Sequence, residues 1–433
     1  MKFCTILLLT AALLCAQAPT PAHIARQALD FLLAGKMAEL QALFNAEMKQ
    51  KLTMEVLEKQ VKPSVAGLGE AKKIAEPQTR IAGPYSVVTI AGDFANANIT
   101  FEVAVDAEGK LVGMFMRPRQ GEAASWKRPP YVKPDSFRER QVTVGAKDWP
   151  LPGTLTLPAG DGKFPAVVLV HGSGPNDRDE SIGPNKPFRD LAEGLASRGI
   201  AVLRYEKRTR QHAPKLALAK EITLDGETVD DAVAAADFLR TQPDVDAKRI
   251  YVLGHSLGAY AAPRIAAADG HLAGIAILAG FTRPLEDLVL EQMTYLASLY
   301  PENADMQKRL EAVKADVAAL KKMEKPVEGA MVLGMPASYL IGLRQYDPAG
   351  EARKLSIPIL VLHGERDHQV TMEDFAGWKK ALGDRNTATL KSYPSLNHLF
   401  MEGQGKSTPA EYQKEGHVAS EAVADIASWI TAK

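Results

Sequence analysis

The sequence predicts an α/β protein with two domains: a large domain built on a mostly parallel sheet, preceded by a small α+β domain. The chain has 433 residues, which is long enough for one large core and a second, smaller one. From residue 21 to residue 119, helical spacing of apolar residues gives way to strand alternation. After Val142, strand and helix patterns alternate, as they do in parallel sheets covered by helices on both faces.

Residues 1–18 have the pattern of a secretory signal peptide. A charged start is followed by the apolar run Thr5 to Cys15, which is too short to span a bilayer, and by the small-x-small cleavage pattern Ala16-Gln17-Ala18. We therefore expect a secreted protein, periplasmic or extracellular, with no stable membrane insertion after cleavage. Both cysteines, Cys4 and Cys15, would be removed with the peptide, which excludes disulfides, thiol catalysis and cysteine-ligated zinc.

Residues 21–119 are predicted to form the small α+β domain. Apolar residues recur at helical spacing from Ile24 to Leu33 and again from Leu40 to Met48. Alternation then predicts strands of an antiparallel sheet at Tyr85–Ile90, Ile99–Val105 and Leu111–Met116. Helices packed on such a sheet are the simplest arrangement that buries both apolar patterns.

Residues 120–136 are predicted to be a linker, because several prolines lie there among polar residues. The large domain follows as residues 137–433. Its strand patterns are Thr154–Leu157, Ala166–Val170, Ile200–Arg204, Ile250–Leu253, Ile275–Leu278, Ile359–His363 and Thr387–Tyr393, with helix patterns between them. From about residue 281 to residue 343 the helical patterns continue without a strand, and we interpret this segment as a cap inserted after a sheet strand.

A G-x-S-x-G motif, Gly254 to Gly258, lies between an apolar strand and an alanine-rich helix. The bare motif is common by chance, but its context here is that of a nucleophile elbow. In such an elbow, small residues on both sides of the serine permit a strained strand-to-helix turn that exposes Oγ. Ser256 is therefore the candidate nucleophile.

A serine hydroxyl needs a base to remove its proton, so an acid and a histidine are expected further along the chain. Asp367 lies in the loop after one apolar strand, with Glu365 as the rival acid, and His398 lies in the loop after the next strand. Catalytic loops gather at the carboxyl ends of parallel strands. We therefore expect Asp367 and His398 to complete a triad with Ser256.

Acyl transfer also requires two backbone N–H groups that stabilise an oxyanion. Leu257, directly after the serine, is one candidate. The other is Ser173, with Gly174 as the alternative, in the glycine-rich segment that follows the strand ending at Val170. A phosphate-binding loop is the rival interpretation of this segment, but the lysine of a P-loop is missing.

Two charged runs, Asn176 to Glu180 and Arg204 to Arg208, follow neighbouring strands. We expect them to pair with each other and stiffen a long loop rather than bind substrate. His255 and His363 are expected to pack beside the site rather than to act as catalysts.

The charge balance excludes several partners. Lys+Arg and Asp+Glu both number 52, so no overall field attracts nucleic acid or an anionic membrane. No convincing cluster of histidines and carboxylates has metal-ligand spacing, and we expect neither a metal nor a cofactor. A small neutral substrate fits this balance.

The segment from His171 to Thr209, including His-Gly-Ser-Gly-Pro-Asn-Asp-Arg-Asp-Glu and Arg-Tyr-Glu-Lys-Arg, closely resembles a bacterial α/β-hydrolase family, the EstD-like carboxylesterases. The resemblance continues through Gly-His-Ser-Leu-Gly to the acid and histidine positions, and these esterases also carry a leader and a small N-terminal domain. It implies an α/β-hydrolase fold with a helical cap. It also implies hydrolysis of short-chain acyl esters by Ser256, Asp367 and His398 through an acyl-enzyme.

Two alternatives remain open. An aminopeptidase-like serine peptidase, or another amide or thioester hydrolase, would use the same triad, and a peptidase would need an anchor such as a carboxylate pair for the free amine. A non-catalytic binding protein is a remote alternative, because the elbow, the triad positions and the glycine-rich loop all agree with catalysis.

Overall fold

The structure is a computed structural model that describes residues 19–95, 97–118, 126–146, 148–217, 219, 221–327 and 329–432. The predicted signal peptide and the first part of the predicted linker lie outside the described residues. The chain divides into two compact units, Met1–Gly121 and Glu122–Lys433.

The first unit packs short helices on an antiparallel sheet. Its helices are α1 Pro21–Leu33, α2 Met37–Ala42, α3 Ala46–Lys51, α4 Met54–Val56 and α5 Lys62–Ala66, with a π-helical turn, Leu57–Val61, between the last two. Its strands are β1 Ala71–Ile74, β2 Gln78–Ala82, β3 Tyr85–Phe94, β4 Asn98–Val105 and β5 Leu111–Pro118. The strand order is β1-β3-β4-β5, and β2 also pairs with β3.

The core of this unit follows from the amphipathic pattern of α1. Thr20 caps the helix by accepting the His23 N–H, and the buried face of α1, which includes Leu29, packs on Val88 and Phe101 of the sheet. The pattern from Leu40 to Met48 forms two helices, because Asn45 caps α3 and the backbone of Leu43 bonds to Leu111 of β5.

The second unit is built on an eight-stranded sheet in the order β15-β14-β11-β10-β8-β9-β7-β6. Its strands are β6 Phe137–Val144, β7 Leu151–Pro158, β8 Phe164–Val170, β9 Ala201–Tyr205, β10 Val245–His255, β11 Gly274–Leu278, β14 Ile359–Gly364 and β15 Ala388–Tyr393. Strands β8 to β15 in this sheet pair in parallel, whereas β7 runs antiparallel to both β9 and β6. The predicted mostly parallel sheet is confirmed.

Helices cover both faces of this sheet. They are α6 Pro187–Ala196, α9 Asp230–Arg240, α10 Leu257–Asp269, α14 Pro348–Lys354, α15 Met372–Leu382 and α16 Ser420–Thr431. Two short helices, α7 Arg208–Gln211 and α8 Ala213–Ala217, lie between β9 and α9 along the chain. Alternate residues of β8 point to opposite faces of the sheet. Val168 and Val170 belong to the core under α9 and α10. Val167 and Leu169 belong to the core under α6 and α16. Burial on both faces explains why β8 is a continuous apolar run.

The described residues of the predicted linker, from Trp126 on, belong to the second unit and contact the rest of it. The Trp126 ring nitrogen donates to Asp190 at 2.9 Å, and the Tyr131 hydroxyl donates to the Val418 carbonyl at 2.8 Å. Arg128 forms an ion pair with the buried Glu193. Composition alone could not reveal these contacts, because their partners lie far away along the chain.

The segment interpreted as a cap contains α11 Leu285–Leu299, α12 Ala304–Lys321 and α13 Ala337–Arg344. The expectation that it contains no strand is wrong, because Met331–Val332 (β12) pairs with Met335–Pro336 (β13). Leu333 and Gly334 both have positive φ and form the two-residue turn between these strands. Of the described helices, none is long and apolar enough to cross a membrane.

Candidate active site

Ser256 lies at the tight turn between β10 and α10. Its φ of 53° and ψ of −112° place it in a strained region, and its N–H donates to the Leu278 carbonyl at 3.0 Å. A Cβ on Gly254 would lie 2.5 Å from the Ala259 nitrogen, and one on Gly258 would lie 2.7 Å from the Val170 carbonyl carbon. The motif therefore needs both glycines because backbone fills the space where their side chains would be.

Asp367 and His398, predicted as acid and base, lie side by side at the carboxyl edge of the sheet. The His398 Nδ1–H donates to Asp367 Oδ2 at 2.6 Å, and both residues are buried. The other oxygen of Asp367 accepts the N–H groups of Gln369 at 2.7 Å and Val370 at 3.0 Å. The rival acid Glu365 is exposed and bonds to Ser392 instead.

These contacts keep Asp367 ionised. Burial by itself would raise the pKa of Asp367, but the attraction and hydrogen bond of His398, together with the Val370 N–H, carry the pKa below its ordinary value. A carboxylate so placed fixes the tautomer of the imidazole, with Nδ1 protonated and Nε2 free to accept a proton.

The loop that carries His398 is held by hydrogen bonds that involve Asn397, which lies in the loop, and Arg366, which lies beside Asp367. The Asn397 side-chain oxygen accepts the N–H groups of Leu399 at 3.0 Å and Met401 at 3.1 Å. Arg366 donates from Nε to the Gly405 carbonyl at 2.6 Å and forms an ion pair with Glu411. The position of His398 is thus set by hydrogen bonds rather than by the loop backbone alone.

Hydrogen bonds to backbone carbonyls fix the peptide planes of the glycine-rich segment after β8. The Gly172 carbonyl accepts Lys207 Nζ at 2.8 Å and Asn176 Nδ2 at 3.1 Å. The Asn176 side-chain amide also donates to the Ser173 carbonyl at 3.1 Å. In a trans peptide, the N–H points away from the carbonyl of the residue before it. The Ser173 N–H is therefore directed away from Lys207 and Asn176.

The candidate oxyanion donors differ in their surroundings. The Gly172 N–H already donates to Glu180 Oε1 at 2.6 Å, whereas the Leu257 N–H belongs to the first residue of α10 and has no acceptor within its helix. Ser173 lines the same cavity as Ser256, whereas neither Gly174 nor Leu257 lines it.

The predicted pairing between the two charged runs is confirmed. Arg178 Nε donates to Glu206 at 2.8 Å, and Arg204 forms an ion pair with Asp179. His363, expected to pack beside the site, bonds through Nε2 to the Val370 carbonyl at 2.9 Å, and burial lowers its pKa.

Sequence reasoning missed the role of Lys207, which is buried. Besides holding the Gly172 carbonyl, its ammonium lies 2.7 Å from Glu227 Oε1, and the other oxygen of Glu227 accepts the Tyr339 hydroxyl at 2.6 Å. Tyr339 belongs to α13 in the cap segment. A chain of buried polar contacts therefore links this segment to the glycine-rich loop, and no local pattern could have indicated it.

Ser256 and His398 share a cavity of about 240 Å³. Its polar lining residues include Ser173 and Asn176. Its apolar lining residues come largely from the cap segment: Phe281, Leu285, Leu288, Val289 and Met335. Gln292 of α11 donates to the Gln369 carbonyl at 2.8 Å, which ties the cap segment to the loop that carries Asp367.

Two larger cavities, of about 940 and 610 Å³, lie elsewhere in the second unit and are not lined by Ser256, Asp367 or His398. Their size does not make them the site, because the strained serine, His398 and the buried Glu180 and His255 line the smaller cavity. Within the described residues, no group of three or more histidine, cysteine, aspartate or glutamate side chains is arranged to hold a metal ion.

Comparison with known proteins places this geometry in a family. The profile of the Alpha/beta hydrolase family matches residues 167–412, and that of a protein of unknown function (DUF3887) matches residues 25–114. Esterase EstD from Thermotoga maritima is 40% identical over 384 residues, which cover 89% of each chain. Acyl-coenzyme A amino acid N-acyltransferase 2 from Rattus norvegicus is 33% identical over 134 residues, 31% of this chain and 26% of that protein.

Among solved structures, Est1E from Butyrivibrio proteoclasticus matches with a TM-score of 0.45 and 17% identity, covering 68% of this chain and 99% of that one. The family match spans more than half of the chain, and the similarity to EstD spans nearly all of it. The predictions of an α/β-hydrolase fold and of a carboxylic ester hydrolase related to EstD are thus confirmed, and this protein belongs to the alpha/beta hydrolase family.

Proposed function

We propose that this protein is a serine carboxylesterase that hydrolyses short-chain acyl esters. Ser256 Oγ attacks the ester carbonyl while His398 Nε2 takes its proton, and Asp367 orients the imidazole. The oxyanion that forms accepts hydrogen bonds from the Ser173 and Leu257 N–H groups. His398 then protonates the departing alcohol. In the second half of the reaction His398 takes a proton from water, the water oxygen attacks the acyl-enzyme, and His398 returns the proton to Ser256 as the carboxylic acid leaves.

The observation that carries this proposal is the shared cavity of Ser256 and His398. Its volume, about 240 Å³, lies below the ~300–1,000 Å³ of pockets for drug-sized ligands, which favours a small acyl group. Its apolar lining is suited to an alkyl chain, because each buried methylene contributes about 0.8 kcal/mol. Ser173, whose N–H is the proposed oxyanion donor, also lines this cavity.

The peptidase alternative receives less support from this cavity. An aminopeptidase would need a free carboxylate for the substrate amine, and Glu180 is the only acid among the described residues that line the site. Both Glu180 oxygens are occupied, one by the Gly172 N–H and one by the His255 ring. We therefore favour esters over peptides.

The acyl length that the enzyme accepts should depend on Val289. Val289→Phe is expected to lower kcat/KM for p-nitrophenyl butyrate about tenfold or more relative to p-nitrophenyl acetate, because the larger side chain occupies space that the longer acyl chain needs. The measurement is a series of p-nitrophenyl esters from acetate to octanoate, run beside amino-acid and dipeptide anilides.

The matched control is Leu290→Phe, the next residue of α11, which does not line the cavity. Its chain-length preference should equal that of the wild type. A wild-type preference for anilides would contradict the esterase proposal, and equal shifts in both variants would contradict the acyl site under the cap.

We also propose that residues 281–343 act as a cap over the site.

We propose further that the protein acts outside the cytoplasm after cleavage at the Ala16-Gln17-Ala18 pattern. The support for secretion is the sequence pattern of residues 1–18. N-terminal sequencing of the exported protein tests it, and an exported or cytoplasmic chain that still starts at Met1 would contradict it.

A further inference from the structure

Three loops that must keep a fixed geometry meet at His255, the residue before the serine. Its Nε2 lies 2.9 Å from the His398 carbonyl, and its Nδ1 lies 2.9 Å from Glu180 Oε2. The second contact is an ion-pair distance whose N–H is not well aligned with the oxygen. Glu180 in turn accepts the Gly172 N–H with its other oxygen, at 2.6 Å.

The two ring nitrogens of His255 therefore both face acceptors. A neutral imidazole has one N–H, so one ring nitrogen without a proton would lie 2.9 Å from an oxygen atom in a buried site. His255 is 6% exposed and Glu180 is 2% exposed. Only an imidazolium provides two donors for a carbonyl and a carboxylate.

The backbone at Glu180 supports a specific role for this contact. Glu180 has a φ of 50°, which is uncommon for a residue with a side chain. The loop holds this conformation through Asp177, whose carbonyl accepts the Glu180 N–H at 2.9 Å and whose side chain accepts the Ser181 N–H at 2.9 Å. Strain retained at a buried charged residue is typical of functional sites.

We propose that His255 is a positioning residue that stays positively charged during turnover and joins the oxyanion loop, the nucleophile elbow and the His398 loop through its contacts with Glu180 and the His398 carbonyl. This inference rests on the proposed triad. The charge has a second effect, because the rings of His255 and His398 are 4.7 Å apart between centroids. A positive charge at that distance repels the positive charge that His398 acquires when it takes the serine proton.

The electrostatics of the surroundings agree. Burial by itself would lower the pKa of His255, but the Glu180 carboxylate outweighs burial and the pKa is raised above its ordinary value. Burial would raise the pKa of Glu180, yet His255 carries it below its ordinary value. Among the described residues, the ionisable groups near the pair include Asp367, His171, His398 and Lys207.

Two of these groups do not disturb the pair. Burial lowers the pKa of His171 to about 4, so this ring is neutral at the pH of the assay. The Lys207 charge is balanced by Glu227 at 2.7 Å. Asp367, which is ionised, adds to the negative potential that favours a charged His255.

The first test reads the charge directly in the intact wild-type protein. In ¹⁵N-histidine NMR, the His255 signals, assigned with His255→Gln, are expected to report two protonated nitrogens at about pH 7. In Glu180→Gln, which keeps an acceptor for Gly172, the same ring should be neutral at about pH 7. A wild-type His255 that is neutral at this pH overturns the proposal.

The second test is the pH dependence of kcat/KM for p-nitrophenyl acetate. In both His255→Gln and Glu180→Gln, the acid limb of the kcat/KM profile should move to higher pH by about one unit. The reason is that the positive charge of His255, which repels a positive charge on His398, is lost in both variants. The control is His417→Gln. His417 pairs with Asp190 at 3.3 Å and does not line the cavity of Ser256 and His398, so the acid limb of the pH profile should not move in this variant.

Unchanged acid limbs in His255→Gln and Glu180→Gln, with folded protein, would also overturn the proposal. The NMR result needs no turnover, so it stands or falls separately from the esterase proposal. Ester hydrolysis that survives in Ser256→Ala would contradict the proposed triad, but it would not change the charge measured at His255 by NMR.

Discussion

Asp367→Asn is expected to lower kcat for ester hydrolysis by about 10⁴ while the protein remains folded. The asparagine can keep the hydrogen bond to His398 Nδ1 only by presenting its oxygen, and it provides no negative charge for the imidazolium that forms during turnover. If the amide nitrogen faces Nδ1 instead, the proton moves to Nε2 and the ring can no longer accept the Ser256 proton. Rates with p-nitrophenyl acetate and circular dichroism of both proteins check this result.

Glu365→Gln is the matched control for this substitution. Glu365 lies two residues before Asp367 but is exposed and bonds to Ser392. Its removal should change kcat by less than about twofold, as expected for a surface substitution away from the reacting atoms. A large loss of activity in Glu365→Gln, together with near-normal activity in Asp367→Asn, would show that the acid is Glu365 and not Asp367.

Gly258→Ala is expected to prevent accumulation of folded protein or to lower the free energy of unfolding by about 3 kcal/mol or more. The added Cβ would lie 2.7 Å from the Val170 carbonyl carbon and 2.8 Å from the His171 carbonyl oxygen. Both are backbone atoms at the end of β8, so neither can rotate away. Helix α10 would have to move off the centre of the sheet.

Soluble yield and urea unfolding measure this effect. Gly342→Ala in α13 is the control, because nothing lies within 4 Å of its Cβ position and alanine favours the helix by up to about 1 kcal/mol. An unfolding midpoint of Gly258→Ala equal to that of the wild type would contradict the close packing of the elbow against β8.

The parts of the fold that could be predicted from the sequence are those with strong local patterns. Ala166–Val170 and Ile359–His363 are continuous apolar runs, and such runs are typical of strands buried on both faces. The strand Gln78–Ala82 was missed, because it is mostly exposed and shows no alternation. The strands Met331–Val332 and Met335–Pro336 were missed because two residues are too few for a period to be visible.

The candidate site divides in the same way. The locations of Ser256, Asp367 and His398 after sheet strands could be predicted, because each follows a recognisable strand pattern. The contacts of Lys207, Glu227 and Tyr339 could not, because Glu227 and Tyr339 are 112 residues apart in sequence and meet only in the folded chain. The charge pair of Glu180 and His255 likewise depends on a loop conformation that no pattern encodes.

The most direct test of the central claim is covalent labelling of the nucleophile. The protein is treated with a fluorophosphonate probe, and the modified residue is located by peptide mass spectrometry while hydrolysis of p-nitrophenyl acetate is followed. The proposal predicts one label per chain, on Ser256, with activity lost in proportion, and neither label nor hydrolysis in Ser256→Ala. Hydrolysis by Ser256→Ala at near wild-type rate, or inactivation by a label on another residue, would contradict it.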